Sequence, residues 1–243
     1  YVSYIGVCSL GIIDGIVLKY GANDYYELDR KKFRSYFLWY TIVQLCICSI
    51  FVTLALVIPN KNYAFIIFEL GINLIAVNIT GYFQQISQIT QRFKEYSIRK
   101  ILQSLLSIVI VLGLFWLFYK GNIITYKIYV ICVVISNYAL AGWYIITYRD
   151  IIFGKNDGLG STARNVIDLI KQGFPLLLAN LCSTLILSLD NQFVSMLFTT
   201  QEYATYTFAY SMLSLITVAT SAIAAVLYPM LKRTEEEKLK ENY

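Results

Sequence analysis

Residues 8–34 read CSLGIIDGIVLKYGANDYYELDRKKFR. The first part is apolar enough to lie in lipid, yet it carries a carboxylate at Asp14 and an ammonium at Lys19. It ends in a basic cluster of Arg30, Lys31, Lys32 and Arg34. An apolar run closed by cations is the pattern of a membrane helix that reaches the cytosolic face. The rest of the chain agrees with that reading. Its 243 residues are 58% hydrophobic and only 14% charged, against about 25% charged in a soluble domain. Too few charges are present to cover a water-facing surface. The expected fold is therefore all-α, a polytopic transmembrane helix bundle.

Crossing ~30 Å of hydrocarbon at ~1.5 Å per residue takes ~20 mostly apolar residues. Seven stretches qualify: 1–20, 37–58, 63–86, 101–119, 123–147, 173–198 and 203–231. The links between them alternate between long polar and very short. Of the 20 Lys and Arg residues, only Lys61, Lys120 and Lys127 fall in the short links. Positive charge stays on the cytosolic side, so the basic links are expected inside and the short ones outside. Aromatic residues mark the same boundaries. Tyr36, Trp39, Tyr40, Trp143, Tyr144 and Tyr148 are expected at the inner membrane edge, and Trp116, Tyr119, Tyr126, Tyr129, Tyr203 and Tyr206 at the outer one. The chain opens Tyr-Val-Ser inside an apolar stretch with no signal-peptide pattern, so it is expected to be a fragment.

The longest link, 148–172, divides the chain. It closes with Val166, Leu169, Ile170 and Phe174 at helical spacing, which predicts a short amphipathic helix on the inner surface. Pro175 is expected to open the sixth span, and Pro229 to kink or stop the seventh. The segment GKNDGLG lacks the Gly-Lys-Ser/Thr ending of a phosphate loop and reads as a linker.

Several function classes drop out. The chain holds no His, which removes Ser–His and Cys–His nucleophile pairs, His zinc sites and His proton relays from this segment. Five Cys, at 8, 46, 48, 132 and 182, sit in apolar runs and read as small buried hydrophobes. No enzyme, cofactor or metal ligand set is expected. Nor is nucleic-acid binding, because the basic residues spread over four cytosolic links as topology demands.

Four ionisable residues lie within or at the edge of spans: Asp14, Lys19, Glu69 and Asp190. Each mid-membrane charge costs about 2.5–3.5 kcal/mol on insertion scales. Such groups normally face a protein interior or a water-filled cavity. Asp190 stands with Asn191, and Asn180 precedes it on the same predicted helix, which reads as a cavity wall. Bland readings stand beside these. Lys19 can snorkel to the interface, and Glu69 can be hydrogen-bonded inside the bundle. Gly11 and Gly15 form a small-xxx-small pair that permits close helix packing.

LGIIDGIVLKYG resembles the end of the second membrane helix of polysaccharide biosynthesis flippases, where Gly-x-x-Asp-Gly leads to a basic residue and Tyr-Gly. GFPLLLANLCSTLILSLDNQF and the following Tyr-x-x-Ala hairpin resemble the opening of their second half, and AIAAVLYPMLKR the close of the next helix. These proteins form the lipid-linked oligosaccharide flippase branch of the multidrug/oligosaccharidyl-lipid/polysaccharide exporter superfamily. The resemblance implies a piece of a two-bundle exporter. Residues 1–147 would supply spans two to six, 148–172 a cytosolic linker, 173–231 the first hairpin of the second bundle, and 232–243 a polar cytosolic tail. It implies a multi-pass protein of a bacterial cytoplasmic membrane. The implied substrate is a polyprenyl-pyrophosphate-linked oligosaccharide, moved by alternating access. Asp14, Lys19, Glu69, Asn180, Asp190 and Asn191 would contact it, with Arg34 and Arg233 on a basic inner rim that attracts the diphosphate. The bilayer is a further partner, and a coupling cation and glycan-assembly proteins fit the same reading. The rival reading is a cation-coupled multidrug exporter of the same superfamily, with Asp14, Glu69 and Asp190 as cation sites.

Overall fold

Residues 8–21, 24–120, 125–154 and 158–241 are described in the computed structural model. They form α1 (Ile12–Tyr20), α2 (Arg30–Val57), α3 (Lys61–Ile89), α4 (Phe93–Tyr119), α5 (Tyr126–Thr147), α6 (Arg149–Ile152), α7 (Leu159–Leu197) and α8 (Thr200–Glu241). No strand occurs among the described residues. Six of these helices are long and apolar enough to cross a membrane: α2 to α5, the Thr162–Ile186 part of α7 and the Gln201–Ala224 part of α8. The chain is a multi-pass membrane protein. The sequence predicts about seven spans, and the difference lies at the start. Helix α1 has 9 residues, about 14 Å of rise, and residues 1–7 lie outside the described ones.

Local chemistry sets the helix starts. Asp29 caps α2, its carboxylate accepting from the N–H groups of Lys31 (3.1 Å) and Lys32 (3.4 Å). Asn60 caps α3 in the same way through the Asn62 N–H at 3.0 Å. Burial alone would raise the Asp29 carboxyl, but hydrogen bonds from Lys32 and Lys31 outweigh it and hold the group below the usual carboxylate range. A depressed folded-state value stabilises above the unfolded value, near pH 4, and is lost as pH falls through the folded one. Asp29→Ala is expected to cost about 1 kcal/mol. The cost should fade below about pH 4, as measured by thermal unfolding at a series of pH values.

Helix α3 is the central post, packed against α1, α2, α4, α5 and α8. Helix α1 lies against α7. Glycines make that crossing. A Cβ on Gly15 would lie 2.2 Å from the Leu169 carbonyl oxygen, and one on Gly173 would lie 2.0 Å from the Gly11 carbonyl oxygen. Two backbones therefore touch directly, as small residues allow in lipid.

Two expectations about proline are corrected. Pro175 does not open a helix; it lies inside α7, which runs unbroken through the expected amphipathic segment and the sixth apolar stretch. Helix α8 continues through position 229 to Glu241, so Pro229 does not stop it. The membrane-edge reading is corrected for four of the six inner aromatics, while Trp39 stays half-buried and Trp143 exposed. Tyr36, Tyr40, Tyr144 and Tyr148 are fully buried, joined to Phe33, Phe37, Tyr82 and Phe83 in one core. Their rings meet stacked, tilted or edge-on, with Phe83–Tyr148 stacked at 5.1 Å and Phe37–Phe83 tilted at 5.3 Å. Such geometry adds to area burial. Several of the hydroxyls reach a partner: Ser87 and Tyr148 lie 2.6 Å apart, and Tyr82 donates to the Phe33 carbonyl at 3.2 Å. Of the aromatics expected at the outer edge, Trp116, Tyr119, Tyr126 and Tyr129 are exposed, and Tyr203 and Tyr206 are half-buried. The cysteines are free, and Cys46 and Cys182 are exposed on the bundle surface rather than buried.

Candidate functional site

The first apolar stretch breaks just before Asp14. Leu10 (φ 52°) and Gly11 (φ 77°) both take left-handed backbone, and α1 starts only after them. The break leaves a carbonyl at Cys8 without a helical donor. Gln44 of α2 supplies one, Nε2 to Cys8 O at 3.0 Å, and its Oε1 accepts from Asn78 Nδ2 of α3 at 2.7 Å. Gln44 and Asn78 are both buried. Gln44→Leu is expected to cost about 1–3 kcal/mol for each buried polar group left unpaired, read as a lower thermal unfolding midpoint of the detergent-solubilised protein.

With the break pinned by α2 and α3, and α1 seated on α7, the Asp14 side chain faces into a cavity of ≈ 420 Å³. Asn180 of α7 donates to its Oδ1 at 3.4 Å. Helix α3 lines the opposite wall with Asn78, Gln84, Gln85 and Gln88. Helix α4 closes it with Tyr96 and Lys100. Asp14 is the acid and Lys100 the base among the lining residues. The interior thus holds one carboxylate, one ammonium and a bank of carboxamides. Such a surface hydrogen-bonds a polyhydroxylated ligand and hydrates readily.

The structure brings together Asp14 and Asn180 and leaves the other expected residues elsewhere. Lys19 lies toward the end of α1, exposed, with its ammonium 5.7 Å from the Tyr20 ring centre. Asp190 is ten residues past Asn180 on a continuous helix, about 15 Å along its axis. It is exposed and accepts from the Tyr206 hydroxyl at 2.5 Å and the Asn191 N–H at 2.8 Å. Glu69 is buried on α3, nine residues before Asn78 and about 13 Å from it along the helix. The Arg233 side chain lies outside the described residues. Arg34 is buried, and its Nη2 donates to the carbonyls of Asp150 (2.9 Å) and Phe153.

Arg34 belongs to a collar that ties α2 to the corner between α5 and α7. Tyr25 donates to both carboxylate oxygens of Asp150, at 3.0 and 2.9 Å, and Arg30 sits 3.7 Å from the same carboxylate. Burial first, then Asp150, pushes the Tyr25 hydroxyl above its ordinary range, so it remains a donor throughout neutral pH. The Arg92 guanidinium stacks 4.3 Å from the Tyr25 ring centre and pairs with Glu95. Arg99 lies 3.6 Å from Glu95 and donates to the Thr147 hydroxyl at 2.9 Å. Much of the basic inner cluster is thus engaged within the fold.

Charge-seeking inspection of the sequence missed Gln84, Gln85, Gln88 and Lys100. The three glutamines stand within eleven residues of Asn78 in GYFQQISQ, a polar density unusual for a span. Lys100 follows Arg99 directly and so reads as part of a cytosolic link.

The family model for polysaccharide biosynthesis proteins matches residues 22–235. The chain belongs to the polysaccharide biosynthesis protein family. The match takes in α2 to α7 and most of α8, while Asp14 and Lys19 precede it. No curated protein and no solved structure matches this chain. As a polysaccharide biosynthesis protein built of membrane-crossing helices, it serves membrane transport in polysaccharide biosynthesis.

Proposed function

We propose that this protein carries a polyprenyl-pyrophosphate-linked oligosaccharide across a bacterial cytoplasmic membrane by alternating access. The observation that carries this reading is the polar cavity between α1, α3, α4 and α7, set within helices that are otherwise apolar. A glycan needs hydrated space and hydrogen-bonding walls, and its lipid anchor can stay in the bilayer. Asp14 and Asn180 bind sugar hydroxyls as acceptor and donor. Lys19 stands near the cytosolic approach, and Asp190 and Asn191 stand toward the far exit. Glu69 lies on the path between along α3. A carboxylate set inside a membrane bundle and facing a wall of carboxamides is more economically explained by a ligand than by packing.

Deleting the gene in its host tests the reading through two phenotypes taken together. Loss of surface polysaccharide with build-up of lipid-linked oligosaccharide on the inner leaflet is the expected result. Normal polysaccharide with new sensitivity to cationic dyes would overturn it and recast Asp14 as a cation site.

A further inference from the structure

A second cavity, ≈ 770 Å³, opens between α4 and α8. Its α4 wall carries Ser97, Ile101, Ser104 and Leu105, and its α8 wall Thr217, Val218, Ser221 and Val226. The hydroxyls of Ser104, Thr217 and Ser221 are spent on their own helices. They donate to the carbonyls of Lys100 (3.1 Å), Ser214 (2.8 Å) and Thr217 (2.7 Å). What these residues offer a ligand is methyl and methylene surface. The groove is therefore apolar in effect, in contrast to the polar cavity. The two adjoin: Tyr96 and Lys100 line both. Among the described residues no carboxylate pairs with Lys100.

Resting on the transport reading, we propose that the α4–α8 groove holds the polyprenyl tail of the substrate, while Lys100 at its mouth binds the diphosphate that joins tail to glycan. The order of chemistry along the protein, carboxamide cavity, ammonium, apolar groove, matches the order glycan, diphosphate, prenyl chain. An ordinary phospholipid fits less well. A phospholipid carries no glycan and would leave the carboxamide cavity that Lys100 also lines unfilled. Lipid tails are as apolar as the groove, so burial gives the tail no preference for it over bilayer. Selection comes from the charge-assisted contact at Lys100, and the groove sets the direction in which the tail leaves.

The test uses the intact protein in phosphatidylcholine nanodiscs with a benzophenone side chain introduced at Val218. The probe is undecaprenyl diphosphate, which has tail and diphosphate but no glycan, and undecaprenol is the control. Labelling by the diphosphate is expected to exceed that by undecaprenol roughly tenfold. Lys100→Gln should erase that margin, and Lys100→Arg should keep it, which separates loss of the anion site from misfolding. Ser221→Trp, which fills the groove, should lower labelling several-fold. Equal labelling by the two lipids, or labelling indifferent to Lys100→Gln, overturns the proposal. Inner-leaflet glycan build-up on gene deletion is read separately, so the groove can fail while transport stands.

Discussion

Gly15→Ala is expected to remove most of the folded protein from the membrane. The added Cβ would sit 2.2 Å from the Leu169 carbonyl oxygen and 2.8 Å from its carbon. Both are backbone atoms of α7 and cannot swing aside. Either α1 or α7 must translate, and the same crossing is closed at Gly173, where a Cβ would meet Gly11 O at 2.0 Å and Gly15 N at 2.4 Å. Overpacking a rigid contact costs about 1–3 kcal/mol and sometimes more. A backbone-to-backbone clash falls at the upper end. Helix α1 also carries Asp14, so displacement that leaves the fold intact would still move the carboxylate from Asn180. Gly113→Ala and Gly142→Ala are the controls, since a Cβ at either meets nothing within 4 Å. They should hold or slightly raise the melting temperature, alanine being the better helix former. A wild-type melt for Gly15→Ala would show that α1 does not sit on α7 in this way.

Asp14→Asn is expected to abolish transport while leaving protein level and melting temperature at or above wild type. Asparagine keeps the shape and can still face Asn180, so packing is conserved. The change removes the charge from a half-buried carboxylate, and a neutral amide costs less to bury, so a bundle that only tolerates Asp14 gains stability. A ligand that hydrogen-bonds the carboxylate loses about 1.5–3 kcal/mol, roughly a tenfold to hundredfold fall in affinity. The two roles thus move two readouts in different directions. Unchanged surface polysaccharide in cells carrying Asp14→Asn would remove the carboxylate from the substrate path.

Much of the helical plan was legible because lipid imposes it. The apolar stretches 37–58, 63–86 and 123–147 lie within or close to α2, α3 and α5. Helix ends were less legible, since apolar content marks hydrocarbon while hydrogen bonding marks helix. Helix α4 therefore starts at Phe93, eight residues before the apolar stretch it contains, and α7 absorbs a polar approach. Pro175 misled for a similar reason. Its missing N–H is tolerated inside a membrane helix when neighbours support the bend, and the Gly11–Gly173 contact lies two residues away. Aromatic residues did not disclose direction. Tyr36 and Tyr144 stand near helix ends, as expected, yet they point into the core rather than toward headgroups.

The site was half legible. Asp14 and Asn180 stood out because charge and amide are costly in lipid, and they meet in the cavity. Gln84, Gln85 and Gln88 carry no charge and passed unnoticed. Asp190 has the same sequence signature as Asp14 but pairs with Tyr206 within the α7–α8 hairpin. No sequence pattern distinguishes the two, because helix rotation decides which carboxylate faces the cavity.

Translocation in proteoliposomes bears most directly on the central claim, that the cavity around Asp14 conducts a lipid-linked glycan. The intact protein would be reconstituted with a fluorescent polyprenyl-diphosphate oligosaccharide, and the fraction that becomes accessible to an added glycosidase followed with time. The account predicts accessibility rising to include the inner-leaflet pool with wild-type protein, and staying at the protein-free level with Asp14→Asn. Equal accessibility with wild-type protein, Asp14→Asn and empty liposomes would contradict it.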